Sequence, residues 1–142
     1  MNYDFHQWLQ QNGLVELFTT NAGDSFYYNK DKGYGAIKTA NPFNVQTFYL
    51  NDVMGFQTKD DEILVASWGQ GGMFNTSPKG TRFSTNEVYM NVSFRSQMPI
   101  KLQIFRAGRG GNISRDKAEH WNLYNYACQL SQMVMSCVTG NI

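Results

Sequence analysis

Charge is scarce in this 142-residue sequence and absent from its end: charged residues make up 16% of the chain, and none follows Glu119. Average proteins carry roughly a quarter charged residues, so a chain with 42% hydrophobic residues and this little charge is excluded from the disordered class and expected to fold around one core. Histidine and cysteine are nearly missing. His6 and His120 stand at opposite ends with no cysteine at ligand spacing, which argues against a zinc finger and against a Cys–His dyad; both are expected as partly exposed helix residues. Cys128 and Cys137 are nine positions apart. On one helix that separation is a rise of about 13 Å and a rotation of about 180°, so they cannot bond to each other, and a reducing cytoplasm is the expected compartment. The beginning of the chain lacks the basic and apolar regions of a secretory signal. Long hydrophobic runs are lacking too. The uncharged stretch from Trp121 to the end is interrupted by Asn122, Asn125, Gln129, Ser131, Gln132 and Asn141, which suits protein contact and not a membrane span.

What is present is alternation. From Asn86 to Phe105, Val88, Met90, Val92 and Phe94 point one way along a first arm, and Ile100, Leu102 and Ile104 along a second, with polar residues between them. This is the pattern of a half-buried antiparallel hairpin, and the segment that follows supplies a helix to cover it. Upstream, Phe5, Trp8 and Leu9 share one face of a short helix that Asp4 can cap and Asn12 and Gly13 can stop. The stretch from Val15 to Phe18 reads as a strand or a further helical turn. Strands are predicted over 25–29, 34–39, 45–50, 53–58 and 62–68, with turns at 30–33, 41–42, 51–52 and 59–61. A long glycine-rich loop covers 69–82, and its Met73 and Phe74 either project or tuck back onto the sheet. The last helix is expected over 113–139 with Ser114 as its N-cap, and its two apolar stripes (Trp121, Tyr124, Cys128, Met135, Val138 and Ala127, Leu130, Val134, Cys137) exceed what one contact needs. The fold class is α+β: six or seven antiparallel strands forming a barrel or strongly bent sheet, roofed by that helix, in a single domain over 1–142 with a helical lead-in over 1–24.

This organisation resembles the small bacterial pleckstrin-homology-like domains. The resemblance is carried by the run from Phe48 to Phe56 (FYLNDVMGF), the glycine-rich stretch from Trp68 to Gly72, the alternating pair 86–105, and the spacing of Tyr124, Ala127 and Leu130 on the last helix. It implies a binding scaffold without catalytic residues, and fold alone names no ligand.

Two binding chemistries follow from the residues. Adjacent aromatics on strands leave rings facing outward, so Tyr27, Tyr49, Trp68, Met73, Phe74 and Tyr126 are the expected protein-binding residues, with a homodimer through the last helix as one arrangement. The charge is also divided: up to Glu62 eight acids stand against four lysines, and beyond it eight bases against three acids. Folding either intermixes these halves or leaves a basic face. In the second case Lys79, Arg82, Arg106, Arg109 and Arg115 form a rim for nucleic acid or anionic lipid headgroups. The Gly69–Gly72 run lacks the following helix and lysine of a nucleotide loop, and the acidic run 60–62 reads as a solvated turn. No nucleophile–base pair can be named, and no cofactor or metal is expected.

Overall fold

In a computed structural model of the chain, residues 2–76, 84–107, 113–114 and 117–141 are described. Helix α1 (Asn2–Gln11) leads into strands β1 (Val15–Thr19), β2 (Ser25–Asn29), β3 (Tyr34–Ala40) and β4 (Phe43–Tyr49), which form an antiparallel meander in the order β1-β2-β3-β4. A 3-10 turn, Leu50–Asp52, carries the chain out of this sheet. Strands β5 (Val53–Asp60), β6 (Ile63–Gly69), β7 (Asn75–Thr76), β8 (Ser84–Thr85), β9 (Glu87–Phe94), β10 (Ile100–Arg106) and β11 (Ile113–Ser114) follow, and helix α2 (Lys117–Val138) closes the chain. The second sheet has the order β10-β9-β5-β6-β7, and β8 pairs with β11 separately.

The α+β class, the antiparallel strands and both helices are as the sequence predicts. The single barrel is not: the described strands divide into a four-stranded and a five-stranded sheet with no closed hydrogen-bonded circuit. The division falls at Leu50–Asp52, where β5 leaves β4 and pairs with β6 and β9 instead. The stretch 15–19, open to two readings in the sequence, is a strand, so the lead-in contributes to the sheet. Ser114, the expected N-cap of α2, lies in a strand instead. It pairs with Ser84 in β11, and the helix begins at Lys117.

The predicted hairpin is realised as β9 and β10, with Val88, Met90, Val92, Phe94, Ile100, Leu102 and Ile104 all buried on one face. They meet Phe18, Phe26, Ile37 and Phe48 from the first sheet and Ala127, Leu130, Val134 and Cys137 from α2 in one core. Both stripes of α2 are engaged: Leu123, Tyr124, Tyr126, Cys128, Met133, Met135 and Val138 pack against the same core, leaving Trp121, 41% exposed, as the exposed large apolar side chain of the helix. Inside this contact, the Ser131 hydroxyl donates to Ala127 O at 2.7 Å, so its oxygen is the acceptor for Thr58 Oγ1 at 2.6 Å, a hydrogen bond that ties helix to sheet.

A second, smaller core lies on the opposite face of the first sheet, where Leu9 and Leu14 pack on Tyr27 and Ala36, with Phe5, Trp8, Tyr34 and Val45 at its margin. α1 ends as the sequence predicts: Gly13 adopts a φ of +63°, and a Cβ there would meet Asn29 Nδ2 at 2.7 Å. Asn29 Nδ2 and the Tyr34 hydroxyl both donate to Asn12 O, at 2.9 and 2.5 Å, so the end of α1 is pinned to the sheet it covers. Both free thiols lie on α2, Cys137 buried and Cys128 half-buried. No described helix is long and apolar enough to cross a membrane.

Candidate functional site

The sheet order leaves β4 and β10 as long edge strands, and their treatment differs. β10 is clamped to the first sheet: Gln103 N–H donates to Asp24 Oδ2 at 2.8 Å, and Gln103 C=O accepts from Thr20 Oγ1 at 2.6 Å. The other Asp24 oxygen accepts from Ala40 N–H at 2.9 Å, so one buried carboxylate joins both sheets. At β4, β3 occupies one side and no described strand occupies the other. β4 (FNVQTFY) contains no charge, and no proline lies within it. Natural edges usually carry lysine, proline or a bulge against unwanted pairing, and the β3–β4 register runs without a shift from Tyr34↔Tyr49 to Ala40↔Phe43.

Two large aromatics mark the ends of this edge. Tyr49 is 65% exposed and Phe43 50%. Both stand on the face that carries α1, because their register partners Tyr34 and Ala40 share the side of Tyr27 and Ala36. Phe43 meets Phe5 edge-to-face at 5.7 Å, and Phe5 stacks on Trp8 at 5.9 Å. A cleft of about 540 Å³ is lined by Trp8, Tyr34, Thr47 and Tyr49, and by the polar groups of Asp52 and Ser96. These two residues are held in place: Asp52 Oδ2 accepts from Ser96 Oγ at 2.6 Å, and Asp52 O accepts from Arg95 N–H at 2.9 Å.

Of the expected protein-binding residues, Tyr49 and Met73 are exposed, Met73 at 79%. Tyr27 is buried, at 6% exposure. The outward face of β2 on which it was expected to project is covered by α1, with Phe5 edge-on to Tyr27 at 5.6 Å. Burial accordingly raises the Tyr27 hydroxyl pKa. Trp68 and Phe74 pack beside Phe56 on the main core, at 6.1 and 6.4 Å between ring centroids, so Phe74 tucks back while Met73 projects. Tyr126 is half-buried against the core; burial raises its pKa, opposed by a hydrogen bond with the Asn21 backbone. Sequence reasoning missed Phe43 at the other end of the strand and Trp8 across the cleft from Tyr49, because nothing local indicates that α1 folds onto β4.

Of the expected anion rim, Lys79, Arg82, Arg109 and Arg115 lie outside the described residues. Arg106 is exposed and lines a cleft of about 580 Å³ with Lys101, Gln103 and Asp24. Lys101 is already engaged, 3.0 Å from Glu87 Oε1 and 4.4 Å from the centre of the Tyr89 ring. Burial works to raise the Glu87 pKa, but hydrogen bonds from Gln103 and Lys101 and the charges of Lys101 and Arg106 outweigh it and hold the pKa low. Cations and carboxylates alternate in this described part.

His120 departs from its expected exposure. It is buried, with Nε2 3.2 Å from Asp60 Oδ2, while Asp60 Oδ1 accepts from Thr85 Oγ1 at 2.8 Å. Of the acidic run, Asp61 and Glu62 form the expected turn with Glu62 exposed, but Asp60 is buried, and Asp61, at a φ of +53°, accepts from the N–H groups of Asn86 and Glu87. The group ties β5 to β8 and α2. No family model matches this chain, and no curated protein or solved structure is significantly similar to it.

Proposed function

We propose that this chain is a non-enzymatic protein-binding module that pairs with an extended segment of its partner along the free edge of β4. The observation that carries this reading is the contrast in the edges: an uncharged seven-residue strand with exposed Phe43 and Tyr49 is left without a described neighbour, while β10 is clamped by Asp24 and Thr20. Backbone pairing at such an edge supplies affinity, and side-chain pockets beside it supply selectivity. The cleft lined by Trp8 and Tyr49 suits that second role, because aromatic rings and the polar groups of Asp52 and Ser96 share its lining. A pleckstrin-homology-like scaffold working in the cytoplasm accords with this use, and the exposed rings of Phe43 and Tyr49 favour a protein partner.

The test is selection from a library of extended peptides on the immobilised, dilute chain. Enriched sequences should alternate β-branched or aromatic residues with polar ones. Their binding should weaken about tenfold or more in Thr47→Pro and Tyr49→Ala and stay unchanged in Trp121→Ala. Peptides indifferent to both β4 changes, or dependent on Arg106, would refute the reading.

A further inference from the structure

We infer that the β4 edge pairs with the same edge of a second copy, forming an antiparallel homodimer whose two-fold axis passes through Gln46. This rests on the β4-edge reading above and names its partner. Leu50 N–H donates to Gly33 O at 2.8 Å, and Gly33 lies opposite Leu50 when the Tyr34↔Tyr49 register is continued by one residue. Hydrogen-bonded and non-hydrogen-bonded pairs alternate along an antiparallel ladder. The inward-bonded residues of β4 are therefore Asn44, Gln46 and Phe48, and the outward N–H and C=O groups belong to Phe43, Val45, Thr47 and Tyr49.

A two-fold axis requires a self-complementary edge. Centred on Gln46, the middle of the strand, it places Phe43 opposite Tyr49 of the partner subunit and Val45 opposite Thr47 of the partner subunit, with the reciprocal pairs by symmetry. This arrangement uses every outward backbone group from Phe43 to Tyr49, whereas an axis centred on another residue leaves some unpaired. Residues directly opposite share a face, so the two most exposed aromatics of the edge meet twice, once on each side of the axis. Because β4 carries no charge, the axis brings no like charges together. The other edges are less suited: β7 has two residues, β10 is clamped, and β1 lies in contact with α2. One strand pair with two aromatic contacts lies at the low end of specific interfaces, below about 1,200 Å² in total, so the dimer forms with rising concentration and is not permanent.

Sedimentation velocity of the full chain from about 5 µM to about 500 µM tests this. A concentration-dependent dimer is expected. Thr47→Pro, which removes an outward N–H at an exposed position, should weaken it about tenfold or more without a comparable loss of melting temperature. Gln46→Lys and Gln46→Glu bring like charges together at the axis, so each alone should be weakened several-fold, less so at high salt, and an equal mixture should regain dimer. A chain monomeric throughout the range overturns the homodimer while leaving the β4-edge reading to the peptide selection. A dimer that survives Thr47→Pro but is lost in Trp121→Ala overturns it in favour of α2. Loss in Thr47→Pro without rescue by mixing the Gln46 variants overturns the two-fold register.

Discussion

Strands β4 and β10 are both seven-residue edges, each at the end of its sheet, yet one is fastened and the other is open. On β10 a buried carboxylate and a threonine hydroxyl take the N–H and C=O of Gln103, and the strand bulges between Gln103 and Phe105, so a further strand has no regular ladder to join. On β4 the register is unbroken, and its ends carry aromatic rings in contact with solvent. The lesson is that side-chain capping of a single residue can close an edge, and that among the described residues no such cap reaches the outer side of β4.

The most severe way to break this contrast is to remove the clamp. Asp24→Ala leaves the N–H groups of Gln103 and Ala40 without their carboxylate and should cost about 3 kcal/mol of stability. Urea unfolding measures the loss, and a change below about 1 kcal/mol would mean that the clamp does not hold the sheets. Next in size is the pH dependence of the core beneath both edges. Burial raises the Cys137 thiol to about 11, above its ordinary 9, so its contribution is complete below pH 9 and is lost as the pH climbs through about 11. This shift is worth roughly 2–3 kcal/mol. Denaturant midpoints should fall over that window in the wild type and in Asp24→Ala alike, and less in Cys137→Val.

Thr20→Val isolates the other half of the clamp. It removes the donor to Gln103 C=O and should cost about 1 kcal/mol. Amide exchange at Gln103 should also quicken. The smallest effect is expected at β4: Thr47→Pro, on the open side, should change the stability of the dilute chain by about 0.5 kcal/mol or less while weakening pairing about tenfold or more. In the dilute wild type, the amides of Val45 and Thr47 should exchange faster than that of Gln103. Equal protection at all three would show that the edges are not different.

Much of the fold was legible because it is written in local periods. The alternation of Val88, Met90 and Val92 with Tyr89, Asn91 and Ser93 has one solution when one face is buried, and the turns at 30–33 and 41–42 are punctuated by glycine and proline. The candidate site was legible only in part. Tyr49 was recoverable as an outward aromatic, but Tyr27, in the same kind of pattern, is covered by α1, and Tyr126 is packed against the core. A period of two separates the faces of a strand without saying whether either meets solvent. His120 and Asp60 were misread for the same reason: their burial follows from the meeting of β5, β8 and α2, which are remote in sequence.

Local pattern was enough for the longer elements, their order and the core-facing side of the β9–β10 hairpin, since these follow from dihedral preference and hydrophobic period over a few neighbouring residues. Tertiary structure alone decided that the strands divide into two sheets at Leu50–Asp52, that α1 covers Tyr27, and that Asp24 reaches Gln103 while nothing described reaches the outer side of β4. Which backbone groups remain unpaired depends on contacts between residues dozens of positions apart, and no local pattern in the chain encodes them.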